Sequence, residues 1–188
     1  MLGEYLNMNH RAGQRGFTIV ELLIVIVVIG ILAAITIVAF NGVQTRAENN
    51  KTINSVMSYA RAIQSYATLN NTYPVFAYPC LGPSTADCAN VTDSTGACNG
   101  AGASGYVAGF DAAVKTITPS LPAPSVQQMN CGGKQYMGAW FNSSSGKSAS
   151  ITYYLRGNVD CVVGSGLTLQ FRHQADDATA CYVLFPNI

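Results

Sequence analysis

With 188 residues the chain is the size of one ordinary domain, and only 10% of it is charged, against roughly a quarter in soluble proteins. Ten basic and nine acidic residues leave a formal net charge of +1 with no basic tail or acidic tract, which excludes a strong electrostatic partner such as bulk nucleic acid. Six cysteines in a neutral, polar C-terminal part suit an exported domain stapled by disulfides and count against a soluble cytosolic enzyme.

Most of the charge deficit lies between Phe17 and Phe40, where FTIVELLIVIVVIGILAAITIVAF carries a single charged residue, Glu21. As a helix this run would be about 36 Å long at ~1.5 Å per residue, enough to cross a hydrocarbon core of about 30 Å. A cleavable secretory signal has a shorter apolar core and a small-x-small site after it; Ala34-Ile35-Thr36 is a poor one. Arg11 and Arg15 precede the run with Glu4 alone opposing them, and Arg46 and Lys51 follow it with Glu48. The positive-inside tendency then keeps the N-terminus cytoplasmic and sends the C-terminal part across, into a compartment where cysteines oxidise. Glu21 is the anomaly, since an acidic residue at the bilayer centre costs on the order of 2.5–3.5 kcal/mol. Its place near the start of the helix lowers that cost, because helix N-termini favour negative charge.

The run Arg15-Gly16-Phe17-Thr18-Ile19-Val20-Glu21-Leu22-Leu23-Ile24-Val25 resembles the processing site of type IV prepilins and the related pseudopilins. The resemblance covers residues 11 to 69; beyond them only the general architecture is shared. It implies that residues 1–16 are a leader, cut between Gly16 and Phe17 by a membrane aspartyl peptidase that also methylates the new Phe17 amine. It further implies that Glu21 of an incoming subunit pairs with the Phe17 amine of a subunit already in a filament. Such a buried pair contributes registry more than stability, because any other alignment strands a charge in hydrocarbon. The partners implied are further copies of the chain, the prepilin peptidase, the assembly machinery in the membrane, and lipid before assembly. Two departures stand out: the proline that often breaks this family's helix is absent around Ala39-Phe40-Asn41-Gly42, and Met8 offers a second start with the leader MNHRAGQRG.

Beyond Phe40 the composition turns polar, yet Ile53, Val56, Met57, Ala60, Ile63 and Ala67 keep helical spacing, so the helix is expected to continue amphipathically to Leu69. Asn70-Asn71 and Tyr73-Pro74 supply the stop. Tyr59, Tyr66 and Tyr73 recur about every two turns and read as packing residues. Residues 74–105, rich in Pro, Gly, Ser, Thr and Asn and holding Cys80, Cys88 and Cys98, read as a stapled surface loop. A short helix follows at Gly105 to Thr116, ended by Pro119-Ser-Leu-Pro-Ala-Pro124. Strands are expected at Gln135 to Phe141, Ser148 to Leu155, Val159 to Val163, Leu167 to Arg172 and Cys181 to Phe185, with turns at Arg156-Gly157-Asn158 and Gly164-Ser165-Gly166. In the fourth, Leu167, Leu169 and Phe171 alternate with polar residues as though one face were buried. Strands in succession without crossover helices argue an antiparallel sheet.

Six cysteines allow 15 pairings. Cys161 with Cys181 is the expected pair, pinning the last strand; Cys80, Cys88, Cys98 and Cys131 then pair among themselves in one of three ways. No cofactor or metal site is expected. Gly100-Ala-Gly102-Ala-Ser-Gly105 matches a dinucleotide fingerprint in letters only, since it follows a loop cysteine where a strand is required. His173 reads as a surface histidine at a strand end, and Asp176-Asp177, with Asp87 and Asp93 in the long loop, reads as solvated turn residues ahead of a calcium site. The zinc ligand spacing of two to four residues is absent among the cysteines.

The fold class expected is α+β, a long helix packed on a C-terminal antiparallel sheet. The organisation is leader 1–16, apolar half-helix 17–40, amphipathic half-helix 41–69, Cys-containing loop region 70–134 and sheet 135–188. The function expected is a structural, non-catalytic subunit of a type IV pilus, held in the membrane before assembly and extracellular after it. The alternatives are a pseudopilin of a type II secretion or DNA-uptake machine, or a membrane-anchored extracellular binding domain that never polymerises.

Overall fold

The computed structural model describes residues 17–84, 105–136 and 138–188. These fall into two compact units divided between Gly42 and Val43. After Phe17 and Thr18, helix α1 (Ile19–Asn70) makes up the described part of the first unit and opens the second. From Phe17 to Ile37, and at Phe40, its large apolar side chains are 47–84% exposed. A surface of that kind is unstable in water and requires lipid or other apolar helices around it.

Within the second unit α1 becomes amphipathic as its spacing predicts. Val56, Tyr59, Ala60, Ile63 and Ala67 are buried, while Ile53 and Met57 pack on the core's margin. Asn71 then takes the left-handed conformation (φ 53°) that ends many helices. The Tyr73 N–H donates to the Gly146 carbonyl (2.7 Å) and the Tyr73 hydroxyl to the Pro186 carbonyl (2.7 Å), so the chain leaving the helix is fastened to the C-terminal segment. Gly146 is obligatory there, since its φ is +72° and a Cβ would collide with the Thr72 hydroxyl.

The second helix, α2 (Ala108–Lys115), is shorter than the expected span of 105–116. It inserts Phe110 between Tyr59 (centroids 6.4 Å apart) and Phe141 (5.1 Å), joining helix and sheet in one aromatic stack. Asp111 pairs with Lys115 (2.6 Å) one turn on.

Six strands follow among the described residues: β1 (Met129–Cys131), β2 (Lys134–Tyr136), β3 (Ala139–Asn142), β4 (Ser150–Arg156), β5 (Thr168–Ala175) and β6 (Ala178–Leu184). β1 and β2 form a hairpin; the other four form an antiparallel sheet ordered β3-β4-β6-β5. One sheet face, with Phe141, Ile151, Tyr153, Leu155, Cys181 and Val183, packs on α1. The opposite face, with Trp140, Tyr154, Ala178 and Ala180, is covered by Met129, Cys131 and Tyr136 of the hairpin and by Cys80. Asn49 of α1 closes a two-way backbone mimic on β4, accepting from Arg156 N–H (2.8 Å) and donating to its carbonyl (3.0 Å). Outside the sheet proper, Phe76 bridges Ser143 and Cys80 bridges Trp140, so the free edge of β3 is covered.

Three strand expectations are corrected. The stretch expected as one strand from Gln135 to Phe141 is divided into β2 and β3, with Gly138 at φ +70° between them. Val159 to Val163 is a loop, because Cys161 is drawn out of register by its disulfide to Cys181 (Cα–Cα 5.7 Å) and Val162 offers its carbonyl to the Tyr153 hydroxyl (2.5 Å). Burial pushes that hydroxyl up to about 12, keeping it a neutral donor. β5 is an edge strand with no fully buried residue, and a bulge between Leu169 and Phe171 breaks its alternation: Leu169 aligns with Val183 on the helix side, whereas Phe171 stacks on Tyr182 (4.9 Å) on the other.

The Cys161–Cys181 bridge closes a 20-residue separation, for which loop entropy predicts about 3 kcal/mol. Cys161→Ser combined with Cys181→Ser is therefore expected to lower the stability of this unit by about that amount, read as a shift of the denaturant midpoint against wild type.

Candidate functional site

The residues singled out by the sequence meet at the first turn of α1. Phe17 and Thr18 are extended and helix begins at Ile19. Thr18 sits at the N-cap, and its carbonyl accepts from Leu22 N–H (3.3 Å). Its hydroxyl accepts from Glu21 N–H (3.2 Å), while the Glu21 Oε2 accepts both from Thr18 N–H (2.9 Å) and from the Thr18 hydroxyl (2.8 Å). This reciprocal arrangement is a capping box: it satisfies backbone donors that a helix start otherwise leaves open. Its signal was present in the sequence as Thr18-x-x-Glu21, and a reading that treated Glu21 only as a membrane charge misses Thr18.

The consequence for chemistry is positional. One carboxylate oxygen is committed to the cap, and Oε1 is without a hydrogen bond among the described residues, on an exposed side chain. The group is thus held against the helix N-terminus, where the dipole favours negative charge, with one oxygen available to a cation from outside the chain. Phe17 lies about one turn below and is 82% exposed. Gly16, the other half of the expected cleavage junction, lies outside the described residues.

The remaining candidates are distributed elsewhere. Cys161 and Cys181 are bonded to one another, and Cys80 and Cys131 are each disulfide-bonded; Cys88 and Cys98 lie outside the described residues, as do Asp87 and Asp93. His173 is half-buried in β5 opposite Ala180, with its Nε2 enclosed, and so is less exposed than a strand-end histidine was expected to be. Asp176 and Asp177 do form the β5–β6 turn, but both are in use. Asp177 accepts from Asn130 N–H (2.5 Å) and pairs with Arg156 (3.4 Å), and Asp176 accepts from Gly133 N–H (3.0 Å). Together they latch the β1–β2 hairpin over the sheet.

Residues 11–37 match the family described as the prokaryotic N-terminal methylation motif. The chain is 36% identical over 61 residues to type II secretion system core protein G of Pectobacterium carotovorum subsp. carotovorum, covering 32% of this chain and 39% of that protein. It is 34% identical over 61 residues to the protein of the same name from Escherichia coli K12 (32% and 42%), and 31% identical over 67 residues to that of Vibrio cholerae (36% and 46%). The chain therefore spans less than half the length of these curated relatives. No solved structure matches it. α1 holds a segment long and apolar enough to cross a membrane. The chain thus carries the methylation motif and is similar to core protein G over its N-terminal third.

Proposed function

We propose that the chain is a structural subunit that polymerises through α1, and that it serves as a pseudopilin in a type II secretion-type machine. The observation that carries polymerisation is Glu21, a carboxylate fixed by Thr18 at the head of an apolar helix with one oxygen left over. After cleavage behind Gly16, a neighbour's methylated Phe17 amine would supply the missing cation, and only the correct axial stagger would bring the two together. The apolar helix would lie in the bilayer before assembly and among other helices afterwards, with prepilin peptidase acting between. Contacts of this head-to-tail kind do not close and so build a helix of subunits. The role is structural; nothing in the proposal requires the chain to catalyse.

The pseudopilin reading is preferred to a type IV pilus subunit because the relatives named above are secretion system proteins. The two readings separate in a deletion strain. Loss of the chain is expected to trap exported proteins behind the outer membrane while long surface fibres persist. Normal secretion with loss of surface fibres would instead assign it to a pilus.

A further inference from the structure

Between α1 and the chain that follows β4 lies a groove of about 230 Å³. Arg46 and Asn50 line it from α1 and Asp160 from the loop, with Ile53, Leu155 and Val159 as its apolar wall. Arg46, Asn50 and Asp160 are exposed, and their side chains make no hydrogen bond or ion pair among the described residues. Both walls are fastened. On one side Asn49 ties α1 to Arg156 of β4 (2.8 and 3.0 Å); on the other the Val159 N–H donates to the Thr179 hydroxyl (3.3 Å) and its carbonyl accepts from Arg172 Nε (2.9 Å). The groove thus presents a guanidinium and a carboxylate that do not pair with one another, beside an apolar wall. That combination is complementary to a ligand with an anion, a cation and an apolar end.

The place of the groove in the chain identifies such a ligand. Arg46 follows Phe40, the end of the apolar run, by six residues, about 9 Å along α1 and no more than about 22 Å in any conformation. The polar layer on each side of a bilayer is itself about 5–8 Å deep. With α1 in the bilayer, the molecules at hand that carry both charges and an apolar tail are phospholipids. The chain flanking residues 85–104 is held at the other edge of the sheet, where Cys80 bridges Trp140 of β3 and its N–H bonds the Gly105 carbonyl (3.4 Å), whereas Val159 is tied to β6 and β5.

We propose that this groove takes the headgroup of an ethanolamine phospholipid, its phosphate on Arg46 and Asn50 and its ammonium on Asp160, with Ile53, Leu155 and Val159 along the glycerol end. The inference rests on the reading that α1 lies in the bilayer before assembly, and adds a lipid-specific tether to the anchor that α1 provides. Asp160 sets the selectivity: it repels a purely anionic headgroup, and a choline headgroup has no N–H to donate to it.

The test reconstitutes the full chain into nanodiscs containing equal parts of phosphatidylethanolamine, phosphatidylcholine and phosphatidylglycerol, and counts the lipids retained after mild detergent release by native mass spectrometry. Wild type is expected to retain the ethanolamine lipid about tenfold over either of the others, the effect of one charge-assisted hydrogen bond. Asp160→Asn should bring it down to the level of the choline lipid, and Arg46→Gln should lower its retention about tenfold, while Lys51→Gln, outside the groove, should keep the wild-type order. Equal retention of all three lipids by wild type would overturn the proposal, as would a preference for phosphatidylglycerol, which marks simple attraction to basic residues. A preference unchanged in both groove variants would overturn it too, by placing the lipid elsewhere. The wild-type comparison involves no substitution and decides the matter even where a variant fails to accumulate. Failure of the wild type to enter nanodiscs at all would remove the membrane reading and the proposal with it.

Discussion

Glu21→Ala is expected to leave cleavage after Gly16 intact and to reduce assembled multimers by more than about 100-fold, the effect of stranding one member of a buried charge pair at a cost of roughly 3–5 kcal/mol. The argument turns on which of two jobs the carboxylate performs. As half of the Thr18 capping box it stabilises the first turn, and a lost cap costs only about 1 kcal/mol. As partner to a neighbour's amine it neutralises a charge that would otherwise sit in an apolar bundle. Glu21→Gln separates the jobs, since glutamine at this position can still accept from Thr18 but carries no charge. If charge pairing governs assembly, the Gln variant fails almost as completely as the Ala variant. Near-normal multimers from Gln, measured by crosslinking in membranes, would reduce Glu21 to a helix cap. Normal multimers from Ala would remove it from assembly altogether.

The second large effect is expected at the junction. Gly16→Trp should leave an uncut precursor in the membrane, heavier by the 16-residue leader, whereas Gly16→Ala should be processed. A peptidase that admits a small side chain on the leader side has no room for an indole. The failure would propagate, because uncut Phe17 has no free amine to offer Glu21, and Arg11 and Arg15 stay attached to the helix. Multimers should therefore vanish in Gly16→Trp to at least the extent seen in Glu21→Ala. Intact mass of the membrane fraction reads the outcome, and full cleavage of the Trp variant would show that the junction lies elsewhere.

What was legible in the sequence follows from the range of the forces involved. α1 could be bounded to within two residues at either end, since its apolar run, its 3.6-residue spacing and its Asn70-Asn71 stop are all local. The antiparallel sheet and the Cys161–Cys181 bridge were likewise readable from succession and alternation. The errors are of another kind. Val159 to Val163 has β-forming composition, yet a disulfide and a tyrosine hydroxyl from elsewhere in the chain hold it out of the sheet. The β5 bulge sends Phe171 to the face opposite Leu169, which strict period-two reasoning cannot foresee. The β1–β2 hairpin is held by Asp176 and Asp177, 43 and 47 residues away from the N–H groups that they accept from, so no window of sequence shows it. At the candidate site the position of Glu21 was evident and its engagement with Thr18 was overlooked, although the spacing was in view.

The central claim is that this chain is cut before Phe17 and built into a polymer through the helix that then begins there. Intact mass with N-terminal sequencing, performed separately on the crosslinked multimer and on membrane monomer, tests it directly. The account predicts a methylated Phe17 N-terminus in every multimer band. Multimers that retain residues 1–16, or a mature chain that is never found outside the monomer band, would contradict it.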